Sequence, residues 1–169
     1  MLTTERLLLR PFTTNDTAFI LELLNDPDWI RNIGDRNVRT PEDAQRYLEN
    51  GPIKMMAAVG HSLMMVAEKH GNDVGAPVGM CGLIKREGLD DVDIGYAFLP
   101  VARGKGYARE AAAAVLKHGR QVLGIKRIVA ITLPANTASV GVAEAIGMRF
   151  EKVVQLPKGT EDLALYVSQ

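Results

Sequence analysis

The sequence predicts a mixed α/β fold, and three observations carry that prediction. A strand-like stretch at 6–10 is followed by helix-like segments before any further strand appears. Three β-like segments then follow in succession, at 61–69, 77–85 and 92–99, with Gly71-Asn72-Asp73 marking a turn between the first two. Finally, the apolar end Phe98-Leu99-Pro100 runs through a basic glycine stretch into Ala108, Ala111, Ala112, Val115 and Leu116, the i, i+3, i+4, i+7, i+8 stripe of a core-facing helix.

Taken in order, the 6–10 strand closes at Pro11. Thr14, Asn15 or Asp16 offers a cap for a helix reaching Leu24, with Phe19, Ile20, Leu23 and Leu24 on its apolar side. Asp26-Pro27 has the N-cap and first-turn pattern of a short helix carrying Trp29 and Ile30 and ending at Gly34. Thr40-Pro41-Glu42-Asp43 starts another helix, predicted to run to Asn50-Gly51. The 92–99 segment is the third strand of the antiparallel run, and Gly124 stops the helix after the glycine stretch. A strand at 126–132 breaks at Pro134-Ala135-Asn136, and Asn136 or Thr137 caps a short helix ending at Gly147. Strands at 150–155 and 162–168 complete the sheet, the last alternating Leu163, Leu165, Val167 with Ala164, Tyr166, Ser168. No repeat or linker divides the chain, so residues 1–169 are expected to form a single domain.

Composition narrows the function classes. Twenty basic residues balance twenty acidic ones, which gives no broad footprint for nucleic acid. Cys81 is the only cysteine, so no internal disulfide forms, in keeping with a reducing compartment. The start Met1-Leu2-Thr3-Thr4-Glu5 has no signal-peptide pattern, and the apolar run near 55–67 is broken by Gly60, His61 and Ser62, too short to span a bilayer. A cytoplasmic chain with no membrane partner is expected. His61, His70 and His118 have no metal spacing, and with Cys81 they form no zinc pattern, so no metal is expected.

The chemistry concentrates in Val101-Ala102-Arg103-Gly104-Lys105-Gly106-Tyr107-Ala108. Glycines let a backbone turn sharply and approach a ligand, and the first N–H groups of the following helix lack intrahelical partners. Such a loop holds an anion, usually a phosphate, beside the charges of Arg103 and Lys105. It is neither of the two best-known phosphate loops. No Gly-Lys-Ser/Thr ending follows four residues after a glycine, and the third glycine of the dinucleotide pattern falls on Arg109.

Gly104-Lys105-Gly106-Tyr107-Ala108 followed by Glu110-Ala111 resembles the acyl-CoA pyrophosphate loop of the GNAT acetyltransferases, in particular their RimJ/RimL-like branch. Thr4-Glu5-Arg6-Leu7-Leu8-Leu9-Arg10-Pro11 resembles that branch's opening strand, residues 90–100 its central strand, and Asn136-Thr137-Ala138-Ser139 through Gly147 its second CoA-side helix. The resemblance implies a GNAT fold: a central, mostly antiparallel mixed sheet splayed after its fourth strand and flanked by about four helices. It implies an N-acetyltransferase moving the acetyl group of acetyl-CoA directly to a primary amine, either a protein N-terminal α-amine or a small amino compound, as monomer or homodimer. A non-catalytic acyl-CoA sensor on the same fold is the alternative.

Carried onto this chain, the resemblance assigns Ala97, Phe98 and Leu99 to the pantetheine amides. Gly104, Lys105, Gly106, Tyr107 and Ala108 go to the pyrophosphate, with Arg103 adding charge where the family's usual Gln or Arg is Val101. Asn136 has two candidate roles, contact with the pantetheine arm and helix capping. Ser139 falls where the branch places a hydroxyl near the CoA sulfur. The tyrosine that many members carry four residues further on is Ala143 here, so Ser139 is the expected acid, with a water, unassisted departure of the thiolate, Tyr96 or Tyr107 as alternatives. Asp93 is the expected base, acting through water, with Asp91 and Glu87 as alternatives and a solvated strand-start carboxylate as the bland reading. Glu110 reads as structural, favouring the helix dipole. Trp29 is assigned to the acceptor, or else packs its helix pair.

Overall fold

The computed structural model describes residues 1–71 and 73–168; Asn72, in the middle of the expected turn, lies outside them. Eight strands make one sheet: β1 (Leu2–Thr3), β2 (Leu7–Pro11), β3 (Leu63–His70), β4 (Asp73–Lys85), β5 (Val92–Phe98), β6 (Ile128–Thr132), β7 (Met148–Val154) and β8 (Leu163–Ser168), in the spatial order β1-β2-β3-β4-β5-β6-β8-β7. Neighbours are antiparallel except β5 and β6, which run parallel. The helices are α1 (Thr17–Leu24), α2 (Pro27–Asn32), α3 (Pro41–Leu48), α4 (Lys54–Val59), α5 (Tyr107–Gln121) and α6 (Thr137–Ala145).

Most helix starts follow local chemistry. Thr40 caps α3 by accepting from the Asp43 N–H at 3.1 Å, while the Asp43 carboxylate accepts from the Thr40 N–H at 3.1 Å, a reciprocal capping box. Asp16, one of the three expected caps, is the N-cap residue of α1; a 3₁₀ turn at Thr14–Asp16 precedes it, capped by Thr13, whose N–H donates to the Asp16 carboxylate at 2.8 Å. The expected stop at Asn50-Gly51 is absent. The chain continues through a wide π turn at Glu49–Ile53 into α4 and ends at Gly60. Pro52 lacks an N–H, and a π turn lets the helix pass it without an ordinary i→i−4 bond there. Strand β4 starts four residues before the expected position. Pro77 lies inside it, opposite Ala67, where the β3–β4 register slips. A bulge of this kind tolerates proline because the ladder is already interrupted.

Two features of the sheet position the site. First, β5 and β6 are paired at only two positions, Val92↔Ile128 and Asp93↔Val129, while β4 stays in register with β5 as far as Phe98. Beyond Asp93 the sheet splays and β5 loses its β6 neighbour. This is the fifth strand rather than the fourth, because the two-residue β1 adds a strand before the expected first one. Second, side chains alternate along β5. Ile94 and Phe98, with Tyr96, join the core formed with Ala111, Ala112, Val115 and Leu116 of α5 and Ala143 of α6. Ala97 and Leu99 belong to the opposite core, with Phe19, Ile20, Leu23 and Leu24 of α1, Trp29 of α2, and Ala44 and Leu48 of α3.

Candidate active site

The glycine loop joins the end of β5 to α5 through a single 3₁₀ turn at Pro100–Ala102. Gly104 and Gly106 have φ of +75° and +80°, the left-handed region that L-residues avoid. A Cβ at Gly104 would meet nothing within 4 Å, so the loop's outer surface is open to a ligand. The Glu110 N–H makes the first helical bond, to the Gly106 carbonyl at 3.1 Å. The N–H groups of Tyr107, Ala108 and Arg109 therefore precede any intrahelical acceptor, at the positive end of a fifteen-residue helix.

The loop is braced from the β1–β2 side. Arg6 Nη1 donates to the Lys105 carbonyl at 2.9 Å, and the same guanidinium pairs with Glu110 at 2.6 Å and lies 4.8 Å from the Tyr107 ring centroid. Thr4 Oγ1 donates to Glu110 at 2.6 Å and the Arg6 N–H does so at 2.9 Å. Partial burial pushes the Glu110 carboxyl up, but these donors outweigh it and hold the group below the usual carboxylate range. Glu110 is thus structural, as read, with a second role as the anchor of the amino-terminal strand. Lys105 Nζ lies 3.2 Å from Glu68. Arg103 is turned elsewhere: Nε donates to the Phe98 carbonyl at 3.0 Å, and its two terminal nitrogens donate to Asp26 and Asp28 of the α2 start. Its guanidinium is committed to protein partners rather than presented to an anion.

On the α5–α6 face, the splay brings together Ser139 and Tyr96. Tyr96 Oη donates to the Ser139 carbonyl at 2.9 Å, and Ser139 Oγ donates to Tyr96 Oη at 3.3 Å. Burial pushes the Tyr96 hydroxyl up to about 12 despite its bond with Ser139, so the pair stays fully protonated at neutral pH. Asn136 is a helix cap, its Oδ1 accepting from the Ser139 N–H at 3.2 Å. Capping uses only the oxygen, and the amide nitrogen has no partner among the described residues, so the cap leaves that nitrogen available to a ligand. The Leu99 N–H donates to the Val78 carbonyl at 2.9 Å. By alternation the backbone groups of Ala97 also face β4, whereas those of Ile94, Tyr96 and Phe98 face the gap left by β6.

Asp93 lies on the other face, where the splay begins. It is 1% exposed, and the Arg86 guanidinium is 3.1 Å away. Burial raises its carboxyl above the usual range, with Arg86 pulling the other way. Asp91 is separate, held by Arg127 at 2.8 Å, which also pairs with Glu151 at 2.6 Å. Exposed Glu87 lies 3.8 Å from Lys158. Trp29 is 5% exposed and donates from Nε1 to the Gly34 carbonyl at 3.1 Å. It packs the α1–α3 core rather than offering a contact face. Burial pushes the Cys81 thiol far above its usual range, which makes it an inert core residue. No cluster of metal-ligating side chains occurs among the described residues, and no described helix is long and apolar enough to cross a membrane.

The sequence offers Ser139 first and Tyr96 as an alternative, and the structure brings the two side by side. Counting by twos from Phe98 puts Tyr96 on the same face as Phe98, the face that α5 covers, and that signal lies in the sequence. Nothing local joins Arg103 to Asp26 and Asp28.

Comparison with known proteins gives a consistent picture. The family model for the acetyltransferase (GNAT) domain matches residues 6–149. The uncharacterized N-acetyltransferase YnaD of Bacillus subtilis strain 168 is 32% identical over 162 residues, covering 95% of this chain and 90% of its own length. A GNAT-family acetyltransferase structure from Bacillus anthracis is 32% identical with a TM-score of 0.76, covering 98% of this chain and 94% of that one. The structure of RimL, a ribosomal L7/L12 α-N-protein acetyltransferase in complex with coenzyme A, shares the fold at a TM-score of 0.78 and 19% identity, covering 97% and 94%.

Proposed function

This chain belongs to the GNAT acetyltransferase family, and on that premise we propose that residues 1–169 form one RimJ/RimL-like N-acetyltransferase domain. Its donor is acetyl-CoA and its acceptor a primary amine, a protein N-terminal α-amine or a small amino compound. One observation carries the reading. The sheet splays beside the glycine loop, so that unpaired β5 backbone, free α5 N–H groups and the Ser139–Tyr96 pair all border one gap. The RimL structure, similar in fold, holds coenzyme A.

The residues fit the donor substrate. The N–H groups along Gly104, Lys105, Gly106, Tyr107 and Ala108 bind its pyrophosphate. The gap-facing backbone of β5, ending at Phe98, pairs with the pantetheine amides, and the Asn136 amide nitrogen supplies a further donor. Such groups are held in place before the reaction, so they cost no reorganisation during it.

Transfer forms a bond from the amine nitrogen to the thioester carbon and breaks the carbon–sulfur bond. The amine's proton passes through water to Asp93 on the α1–α3 face. On the α5–α6 face Ser139 Oγ gives a proton to the departing sulfur and takes one back from water, while Tyr96 Oη holds the residue in place by donating to the Ser139 carbonyl. The two candidate groups thus flank the sheet at its opening, one for the incoming nucleophile and one for the leaving group. Unassisted thiolate departure is tolerable at an ordinary thiol pKa of about 8.5, so Ser139 accelerates the step rather than enabling it. An α-amine, near pKa 8, offers far more neutral nucleophile at pH 7 than a lysine near about 10.4, which favours N-terminal or small α-amino acceptors.

The test is free-thiol release from acetyl-CoA against peptides with free N-termini, amino acids and polyamines. Release with one acceptor class is expected and names the substrate. Saturable binding of acetyl-CoA without release across the panel points to an acyl-CoA sensor. Absence of binding overturns the reading of the loop.

A further inference from the structure

Arg103 immediately precedes Gly104, yet its side chain reaches away from the loop to the start of α2. A guanidinium presents its donors in a rigid planar fork, and here three edges are in use. Nε donates to the carbonyl of Phe98, the last residue of β5, at 3.0 Å. One terminal nitrogen donates to Asp26, a carboxylate 7% exposed, and the other to Asp28. Asp26 is the N-cap residue of α2, but its side chain makes no capping bond. It is given over to Arg103, which stands in for the helix N–H groups as its partner. Asp28 divides its oxygens between Arg103 and Arg31.

We propose that Arg103 is a positioning residue that couples ligand occupancy of the glycine loop to the setting of α2 on the acceptor side of the sheet. The proposal rests on the CoA-binding reading of that loop. The coupling is mechanical. Arg103 and Gly104 share a peptide bond, so any change in loop dihedrals as the backbone closes on an anion redirects the Arg103 fork. The two carboxylates then follow, or lose paired, partly desolvated bonds. Coupling of this kind is reciprocal. An acceptor that settles α2 tightens the hold on CoA, and CoA prepares the acceptor side.

The chain carries its own reporter. Trp29 is its only tryptophan, follows Asp28 directly, and packs in the α1–α3 core on the face opposite α5 and α6. A ligand on the glycine loop does not touch it, so a change in its emission requires transmission. The experiment titrates CoA into the full chain and reads calorimetric heat and Trp29 emission on the same samples. Three proteins are compared: wild type, Asp28→Asn, and Arg103→Met combined with Asp26→Asn. The double change leaves no unpaired buried carboxylate and so keeps the fold available.

In the wild type the emission change is expected to saturate with the calorimetric midpoint. In the double variant the affinity for CoA stays within about threefold, while the emission amplitude falls by roughly fivefold or more, with Asp28→Asn in between. Wild-type binding without an emission change overturns the coupling and leaves the function reading standing. Full amplitude in the double variant also overturns it. No calorimetric binding by the wild type overturns both readings together.

Discussion

Replacing Gly104 with alanine tests the placement of the anion site with little ambiguity. Its φ is +75° and a Cβ there meets nothing within 4 Å, so steric clash is excluded and only backbone conformation is at stake. Holding an L-residue in the left-handed region costs about 1–2 kcal/mol. If the loop keeps its shape, the protein loses that amount, which for a chain of this size lowers Tm by about 2–8 °C. If the loop relaxes instead, the N–H groups of Lys105 and Gly106 turn away and the penalty appears in binding, as a loss of roughly 5–30-fold in CoA affinity. Valine, stiffer at χ1, exaggerates either effect. Calorimetric titration with CoA and thermal unfolding on the same preparations separate the two. Gly141→Ala in α6, where nothing lies within 4 Å and φ is not positive, is the control and is expected to gain about 0.5–1 kcal/mol. Wild-type Tm and wild-type CoA affinity in both Gly104→Ala and Gly106→Ala would refute the loop assignment.

Four further outcomes are expected. Ser139→Ala lowers kcat by roughly ten- to a hundredfold with little change in KM for acetyl-CoA, the low end of acid catalysis because a thiolate leaves readily; an unaltered kcat removes Ser139 from the mechanism. Arg86→Met takes away the charge opposing burial at Asp93, so the acid limb of kcat/KM moves up by about one to two pH units, and a limb that stays put excludes Asp93 from the proton path. Asp16 is buried against Arg10 at 2.8 Å. Burial raises its carboxyl, but Arg10 and Thr13 more than compensate and hold it below its unfolded value. Its contribution is therefore present above the unfolded pKa and lost as pH falls through the folded one. Asp16→Asn is expected to cost about 2–3 kcal/mol at pH 7 in urea unfolding, a gap that closes in acid; a gap equal at both pH values contradicts the pairing. Gly82→Ala places a Cβ 2.0 Å from the Ser62 carbonyl oxygen and 2.6 Å from Leu63 Cα. Both are backbone atoms that cannot swing aside, so a loss of about 3 kcal/mol or failure to fold is expected, and native stability would mean that the β3–β4 register differs.

What the sequence determined by itself was local. The Thr40–Asp43 capping box, the alanine stripe of α5, the strand-to-helix glycine turn and the Asn136 cap each depend on residues within a few positions of one another, and each is found where the sequence puts it. Where the local reading failed, it was at Asn50-Gly51, where breaker residues suggested a stop. A π turn carries the helix through Pro52 because Leu48 and the residues around it pack the core.

Only the tertiary structure decided the rest. The splay after Asp93 is a divergence of two strands more than thirty residues apart, and no spacing within either strand announces it. Tyr96 meets Ser139 across 43 positions, and Arg103 meets Asp26 across 77. A charged side chain at the start of an anion loop has the same local chemistry whether it faces a phosphate or a carboxylate. Which partner it takes depends on where α2 is packed, and that is settled by the burial of Trp29, Leu23 and their neighbours against the far face of the sheet.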